Sequence, residues 1–191
     1  MSEHMALENL TVLDLTRVLA GPFCTMMLAD MGANVIKIEV PKGGDDTRSY
    51  PPFRAKNLNG ERESVYFANI NRNKKGITLN LKAPEGKEIF KELVKKADIV
   101  VENYRPGVMD KLGLGYDVLK EINPRIIYAA VSGFGCYGPY HLRPGYDILA
   151  QAMGGMMSIT GSKGGEPTRA GSALGDIPVS YTHLTLPTIR L

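Results

Sequence analysis

The chain has 191 residues, 43% of them hydrophobic and 23% charged, with a formal net charge of +3. This is an ordinary soluble globular composition with enough chain for one sizeable core, and it excludes disordered and collagen-like classes. The lysines are scattered and the densest basic run, Arg72 to Lys75, is too short for a binding arm, so no nucleic-acid surface is expected.

No apolar run approaches the roughly 18 residues of a membrane span, and no signal peptide is visible. The two cysteines, Cys24 and Cys136, have no C-x-x-C spacing and no histidine partners. They read as free thiols in a reducing cytoplasm.

In chain order, residues 1–5 read as a leader or tag, and residues 6–177 as one Rossmann-like domain. Thr11 to Glu39 reads as a strand (Thr11 to Leu15), a Gly-Pro turn, a helix and a second strand (Val35 to Glu39). Cys24, Met27, Leu28 and Met31 fall at i, i+3, i+4 and i+7, one apolar stripe at the helical period. Gly32 stands where a left-handed cap ends that helix. Parallel partner strands joined by a crossover helix place ligands at the strands' carboxyl ends, here Thr16 to Pro22 and Glu39 to Lys42.

Val40 to Arg62 is a long Gly-, Asp- and Pro-rich loop, a length uncommon in a compact domain unless it shapes a site. A short helix is predicted over Ser64 to Asn71, a strand over Ile77 to Leu81, and a helix over Pro84 to Ala97. That helix is expected to bury Ile89, Phe90, Leu93, Val94 and Ala97. Asp98 to Val101 is the next strand, Pro106 to Leu112 and Tyr116 to Ile122 are short helices, and Arg125 to Ser132 is a further strand before a Gly-rich segment, Gly133 to Gly145. The alternation of strand and helix predicts an α/β fold, a doubly wound parallel sheet flanked by helices. The closing segment, residues 178–191, shows neither a helical stripe nor strand alternation. Its wording, SYTHLTLPT, reads as sequencing-adapter read-through rather than native sequence.

Candidate chemistry narrows by elimination. Of the three histidines only His141 lies in the body of the chain, so neither a Ser-His-Asp device nor a His/Cys metal site is supported. Glu39 ends the second strand where an acid grips a ribose in dinucleotide folds. The glycine fingerprint is missing, however: TRVLAGP offers Gly21 alone, followed by a proline that lacks a donor, which argues against nicotinamide or flavin.

The segments DLTRVLAGPFCTMMLADMGANVIKIE, GDDTR, NRNKKGITLNLKAPEG, VENYRPGVMDKLGLGYD, NPRIIYAAVSGFGCYGP, GYDILAQAMGG and TRAGSALGD follow one another from Leu7 to about Asp176. In that order they resemble class III CoA-transferases, the CaiB/BaiF family, and the match looks like the N-terminal, large-domain portion of such a protein. The resemblance implies a Rossmann-like domain of an interlocked homodimer. It implies acyl-CoA and a carboxylic acid as substrates, with no metal, nicotinamide or flavin, and catalysis by Asp176 as the carboxylate that attacks the acyl-CoA thioester. Gly171 and Gly175 are expected to admit a bulky acyl group and to donate N–H bonds to developing charge.

By the same resemblance Val18, Leu19 and Ala20 lie beside the CoA nucleotide, Leu79 to Lys82 at its adenine and phosphate edge, and Asn103, Tyr104 and Arg105 along the pantetheine. Lys82 and Lys111 are phosphate partners, and Arg72 to Lys75 a phosphate-facing turn, with solvated charge as the alternative for each. Val40 stands where family members often carry arginine, so Arg48 or Lys42 is expected to substitute. Tyr146 occupies the position at which related racemases use a histidine base. An unperturbed tyrosine near pKa 10 is a poor base at neutral pH, so CoA transfer is favoured over racemisation at the acyl α-carbon. Asp147 is expected to orient the active-site carboxylate or the substrate, or else to cap a helix. A CoA-binding piece without activity is the third reading.

Overall fold

The computed structural model describes residues 4–54, 56, 60 and 62–189. The parallel strands β1 (Thr11–Asp14), β2 (Asn34–Glu39), β3 (Lys75–Thr78), β4 (Ile99–Glu102) and β5 (Ile127–Ala130) form one sheet in the order β3-β2-β1-β4-β5. The helices are α1 (Ala20–Asp30), α2 (Val65–Ile70), α3 (Pro84–Val94), α4 (Val108–Leu112), α5 (Tyr116–Ile122), α6 (Asp147–Met153), α7 (Met156–Ile159) and α8 (Asp176–Ile189).

The sheet is doubly wound because its central strands alternate between two cores. Leu13 and Val100 join Phe90 and Val94 of α3 and Leu119 of α5 on one face, while Val12, Ile99 and Val101 join Leu28 and Ala29 of α1 on the other. With both faces covered, the central strands read as near-continuous apolar runs. Strand order reverses between β1 and β4, and the crevice at their carboxyl ends is where such sheets take ligands.

Several local expectations need correcting. β3 begins two residues and ends three residues earlier than predicted, and all four of its residues are exposed, because it is an edge strand whose side chains leave no apolar signature. In α3, Ile89 is 52% exposed. The buried row is Gly86, Phe90 and Val94, with Gly86 admitted because an added Cβ would stand 2.0 Å from the Asn80 carbonyl. Met31 is the exposed C-cap of α1, and the rest of that helix is buried nearly all round, since it lies between the sheet and α8. Gly32, at φ +102°, does end it in the left-handed region.

The closing segment was expected to extend no core, yet its residues 178–189 continue α8, and that helix packs along α1. Periodicity misses such a helix because it has no single apolar stripe. The buried Ser180 donates its hydroxyl to the Ala20 carbonyl at 2.6 Å, and Tyr181 meets Phe23 with ring centroids 6.4 Å apart. Among the described residues no helix is long and apolar enough to cross a membrane.

Candidate active site

The β1–α1 turn forms one wall of a cleft lined by Leu15, Thr16, Arg17, Ile38, Glu39, Val40, Gly44, Asp45 and Tyr104. These residues come from the carboxyl ends of β1 and β2 and from the turn after β4, the position that the strand order dictates. Gly21 sits here because an added Cβ would stand 2.4 Å from the Thr16 side chain. Val18 holds φ +69°, a true outlier for a β-branched residue.

Neighbouring turns hold this wall. The Asn103 side chain accepts from the Arg17 N–H at 2.8 Å and donates to the Arg17 carbonyl at 2.7 Å. Asn103 therefore clamps backbone instead of presenting its amide to a ligand. Tyr104 lines the cleft as expected, and Arg105 is exposed beside it. Lys82 and Lys111 are exposed on other elements, and Leu79 packs its side chain against the core.

Beneath the wall lies a buried ionic cluster that composition did not foretell. Lys74 Nζ donates to Asp14 Oδ2 at 3.0 Å and to the Pro22 carbonyl and Asn71 Oδ1 at 2.9 Å each. Asp14 also accepts from the Thr16 N–H at 2.9 Å and from the hydroxyls of Thr16 and Thr25, at 2.5 and 2.7 Å. Burial pushes the Asp14 carboxyl upward, but Lys74, Lys37 and the two hydroxyls outweigh it and hold the group below its usual range. Burial lowers Lys74 against the attraction of Asp14.

Lys37 Nζ donates to the Thr16 carbonyl at 2.9 Å and faces Asp45 Oδ2 at 3.0 Å. Glu39 accepts from the Asp45 N–H at 2.7 Å and is paired at both oxygens by Arg48, whose guanidinium lies 3.8 Å over the Phe67 ring. These contacts bear on three readings of the sequence. Glu39 is committed and leaves no ribose acceptor. Arg48 is likewise paired through Nε and Nη2, and exposed Lys42 is the second cation near Val40. In the basic run at Arg72, Lys74 alone turns inward, onto Asp14, while Arg72, Asn73 and Lys75 stay exposed, the first two against Asp30 and Lys75 against Asn34.

Asp176 opens α8, and docking of Ser180 on Ala20 brings that first turn beside the wall. Burial, and then the nearby Asp147 carboxylate, raise the Asp176 pKa. Tyr66 of α2 is pushed up to about 12, by burial first and the Asp176 charge second, so its phenol shares the Asp176 environment. Asp147 is the first residue of α6, after the exposed N-cap Tyr146. Its two oxygens accept from the Gly175 N–H at 2.7 Å and from Gln151 Nε2 at 2.8 Å. Gln151, 3% exposed, accepts from the Ala170 N–H and donates to the Ser172 carbonyl.

Asp147 and Gln151 thus pin the strip that leads to Asp176. The Gly175 N–H is spent on Asp147 and is not free for developing charge, which corrects that expectation. Gly175 is glycine because an added Cβ would stand 2.8 Å from Ala150 Cβ, whereas Gly171 has open space. Gln151, Lys37, Asp45 and Tyr66 were missed. A lysine between two isoleucines of a parallel strand was the signal for Lys37, and an i+4 partner for Asp147 the signal for Gln151. Among the described residues no three His, Cys, Asp or Glu side chains are grouped to hold a metal ion.

Comparison with known proteins places this geometry, because residues 7–185 match the profile of CoA-transferase family III. The chain belongs to that family. Curated family III relatives include the succinyl-CoA:glutarate CoA-transferase of Mus musculus, 52% identical over 172 residues, 90% of this chain and 38% of the relative. The acetyl-CoA:oxalate CoA-transferase of Acetobacter aceti is 51% identical over 171 residues, 89% of this chain and 42% of the relative. The crystal structure of a CAIB/BAIF family protein from Brucella suis matches with a TM-score of 0.92 at 43% identity, covering 98% of this chain and 49% of that one. The chain therefore spans about half the length of this solved relative and about two fifths of these curated ones.

Proposed function

We propose that the full-length protein transfers coenzyme A from an acyl-CoA to a free carboxylic acid, with Asp176 as the nucleophile. The observation that carries this reading is the placement of the Asp176 carboxylate. It lies at the start of α8, on a strip pinned by Asp147 and Gln151, next to the β1–α1 wall. An Asp176 oxygen attacks the thioester carbonyl, the C–S bond breaks, and CoA thiolate leaves an acyl-aspartyl anhydride. The thiolate then attacks the Asp176 carbonyl, releasing the donor acid and forming an aspartyl-CoA thioester. The acceptor carboxylate repeats both steps in reverse and frees Asp176.

Burial, and then the Asp147 charge, leave the Asp176 carboxylate weakly stabilised and so reactive towards the thioester. Tyr146, 67% exposed, places a phenol where related racemases use a histidine base, which favours transfer over α-carbon racemisation. The names of the relatives share short dicarboxylate acceptors, glutarate and oxalate among them, and we propose that substrate class here. An interlocked homodimer is the proposed assembly. Free Cys24 and Cys136 support a reducing, cytoplasmic setting.

The test is trapping during turnover on protein extended to the length of its relatives. Hydroxylamine or borohydride is expected to leave an adduct at Asp176, and Asp176→Asn to abolish transfer. Turnover without that adduct, or an active Asp176→Asn variant, would overturn the proposal.

A further inference from the structure

The buried pair Lys37 and Asp45 grips the β1–α1 turn at two points. Lys37 Nζ donates to the Thr16 carbonyl at 2.9 Å, and Asp45 Oδ1 accepts from the Val18 N–H at 3.2 Å. Oδ1 is itself oriented by the N–H and hydroxyl of Thr47, at 3.0 and 2.8 Å. Oδ2 faces Lys37 Nζ at 3.0 Å but outside hydrogen-bonding geometry, and the two side chains are 2% and 0% exposed. Arg17 spans the two gripped atoms, and directly after the second the chain turns at Val18 with φ +69°, a conformation that a β-branched residue keeps only where its surroundings over-determine it.

A buried ion pair is a poor source of stability, because desolvation offsets most of the attraction. Its use is conformational choice, and here the conformation chosen is that of the cleft wall, to which Thr16 and Asp45 both contribute surface. We propose that Asp45, its carboxylate fixed by Lys37, is a positioning residue that keeps the Thr16-to-Leu19 turn in the one form that binds acyl-CoA. This rests on the CoA reading above. When the grip is lost, Val18 relaxes to negative φ, the competent turn becomes a minor state, and apparent affinity falls by the fraction remaining.

The experiment is calorimetric titration of the protein, extended to the length of its relatives, with free CoA, together with the carbon chemical shifts of Val18 in the unliganded protein. Asp45→Ala is expected to weaken CoA binding by about tenfold or more and to move the Val18 shifts, under conditions where it remains folded. Asp45→Asn with Lys37→Met removes both charges and keeps the Oδ1 acceptor, and it is expected to recover affinity and Val18 shifts close to the unaltered chain. An Asp45→Ala protein that loses thermal stability yet binds CoA unchanged would show a merely structural role and overturn the proposal. So would Val18 shifts that do not move. If the unaltered chain takes up no CoA, the CoA reading itself falls. If it binds and only Asp45→Ala binds equally well, the grip alone falls.

Discussion

Replacing Lys74 by methionine tests whether the cluster under the β1–α1 wall sets the stability of the domain. The ammonium makes hydrogen bonds to Asp14 Oδ2, Asn71 Oδ1 and the Pro22 carbonyl, and its side chain is 1% exposed against 0% for Asp14. Methionine keeps most of the volume but strands a buried carboxylate, and breaking one partner of a buried pair costs about 3–5 kcal/mol. The hydroxyls of Thr16 and Thr25 and the charge of Lys37 still face Asp14, which places the cost near the lower end, about 3 kcal/mol. For a chain of this length that is a fall in Tm of about 6–12 °C. Circular dichroism melts and urea titrations at pH 7 measure it.

Asp14→Asn combined with Lys74→Met removes both charges and is expected to regain most of the loss. The sign with pH follows from Asp14, whose folded pKa lies below its unfolded value of 3.8. Its contribution is fully present above that value and is lost as pH falls through the folded pKa. A Lys74→Met protein within about 1 kcal/mol of the parent at pH 7 would refute the reasoning.

Glu102 gives a slope of opposite sign. Burial raises it to about 7 against hydrogen bonds from the Tyr104 N–H and Tyr128 hydroxyl, so the folded state holds a proton that the unfolded state releases near 4.5. Stability is therefore expected to fall between about pH 4.5 and 7 by up to about 3 kcal/mol and then level off. Glu102→Gln is expected to flatten that limb in urea midpoints taken across the range. Gly21→Ala drives a methyl group into Thr16 and is expected to cost about 1–3 kcal/mol by overpacking, measured by the same melts. Gln151→Ala frees the Ala170 N–H and releases its bond to Asp147, and is expected to raise Gly175 amide exchange about tenfold by hydrogen-exchange mass spectrometry or NMR.

Much of the architecture was legible because buried parallel strands and their crossover helices carry strong apolar patterns. β1, β2, β4 and α5 fall within a residue of expectation, and Ser64 caps α2 by accepting from the Phe67 N–H. Exposed β3 and stripe-free α8 left no such pattern. At the site, the residue types were visible but their allegiance was not. Whether Arg48 meets a ligand or Glu39, and whether Lys74 faces solvent or Asp14, depends on pairs 9 and 60 residues apart. Local spacing cannot settle contacts at that range. Asn103 is the same lesson: a polar side chain in a predicted ligand turn proves to hold the neighbouring turn, 86 residues away.

The order of synthesis sets a constraint on how this sheet is assembled. β1 is made before the other four strands of this sheet and lies in the middle, paired with β2 on one side and β4 on the other. The second pairing must close a long loop, and Thr11 and Asp98, 87 residues apart, are joined by two bonds, from the Thr11 N–H to the Asp98 carboxylate and from the Asp98 N–H to the Thr11 carbonyl. Loop-closure entropy makes such a pairing slow relative to the local βαβ unit. Until β4 emerges, one edge of β1 stays open, with the apolar Val12 and Leu13 beside it. A nascent chain paused before residue 99 therefore presents an unsatisfied strand edge, and recruitment of a holdase chaperone would be greatest in that window.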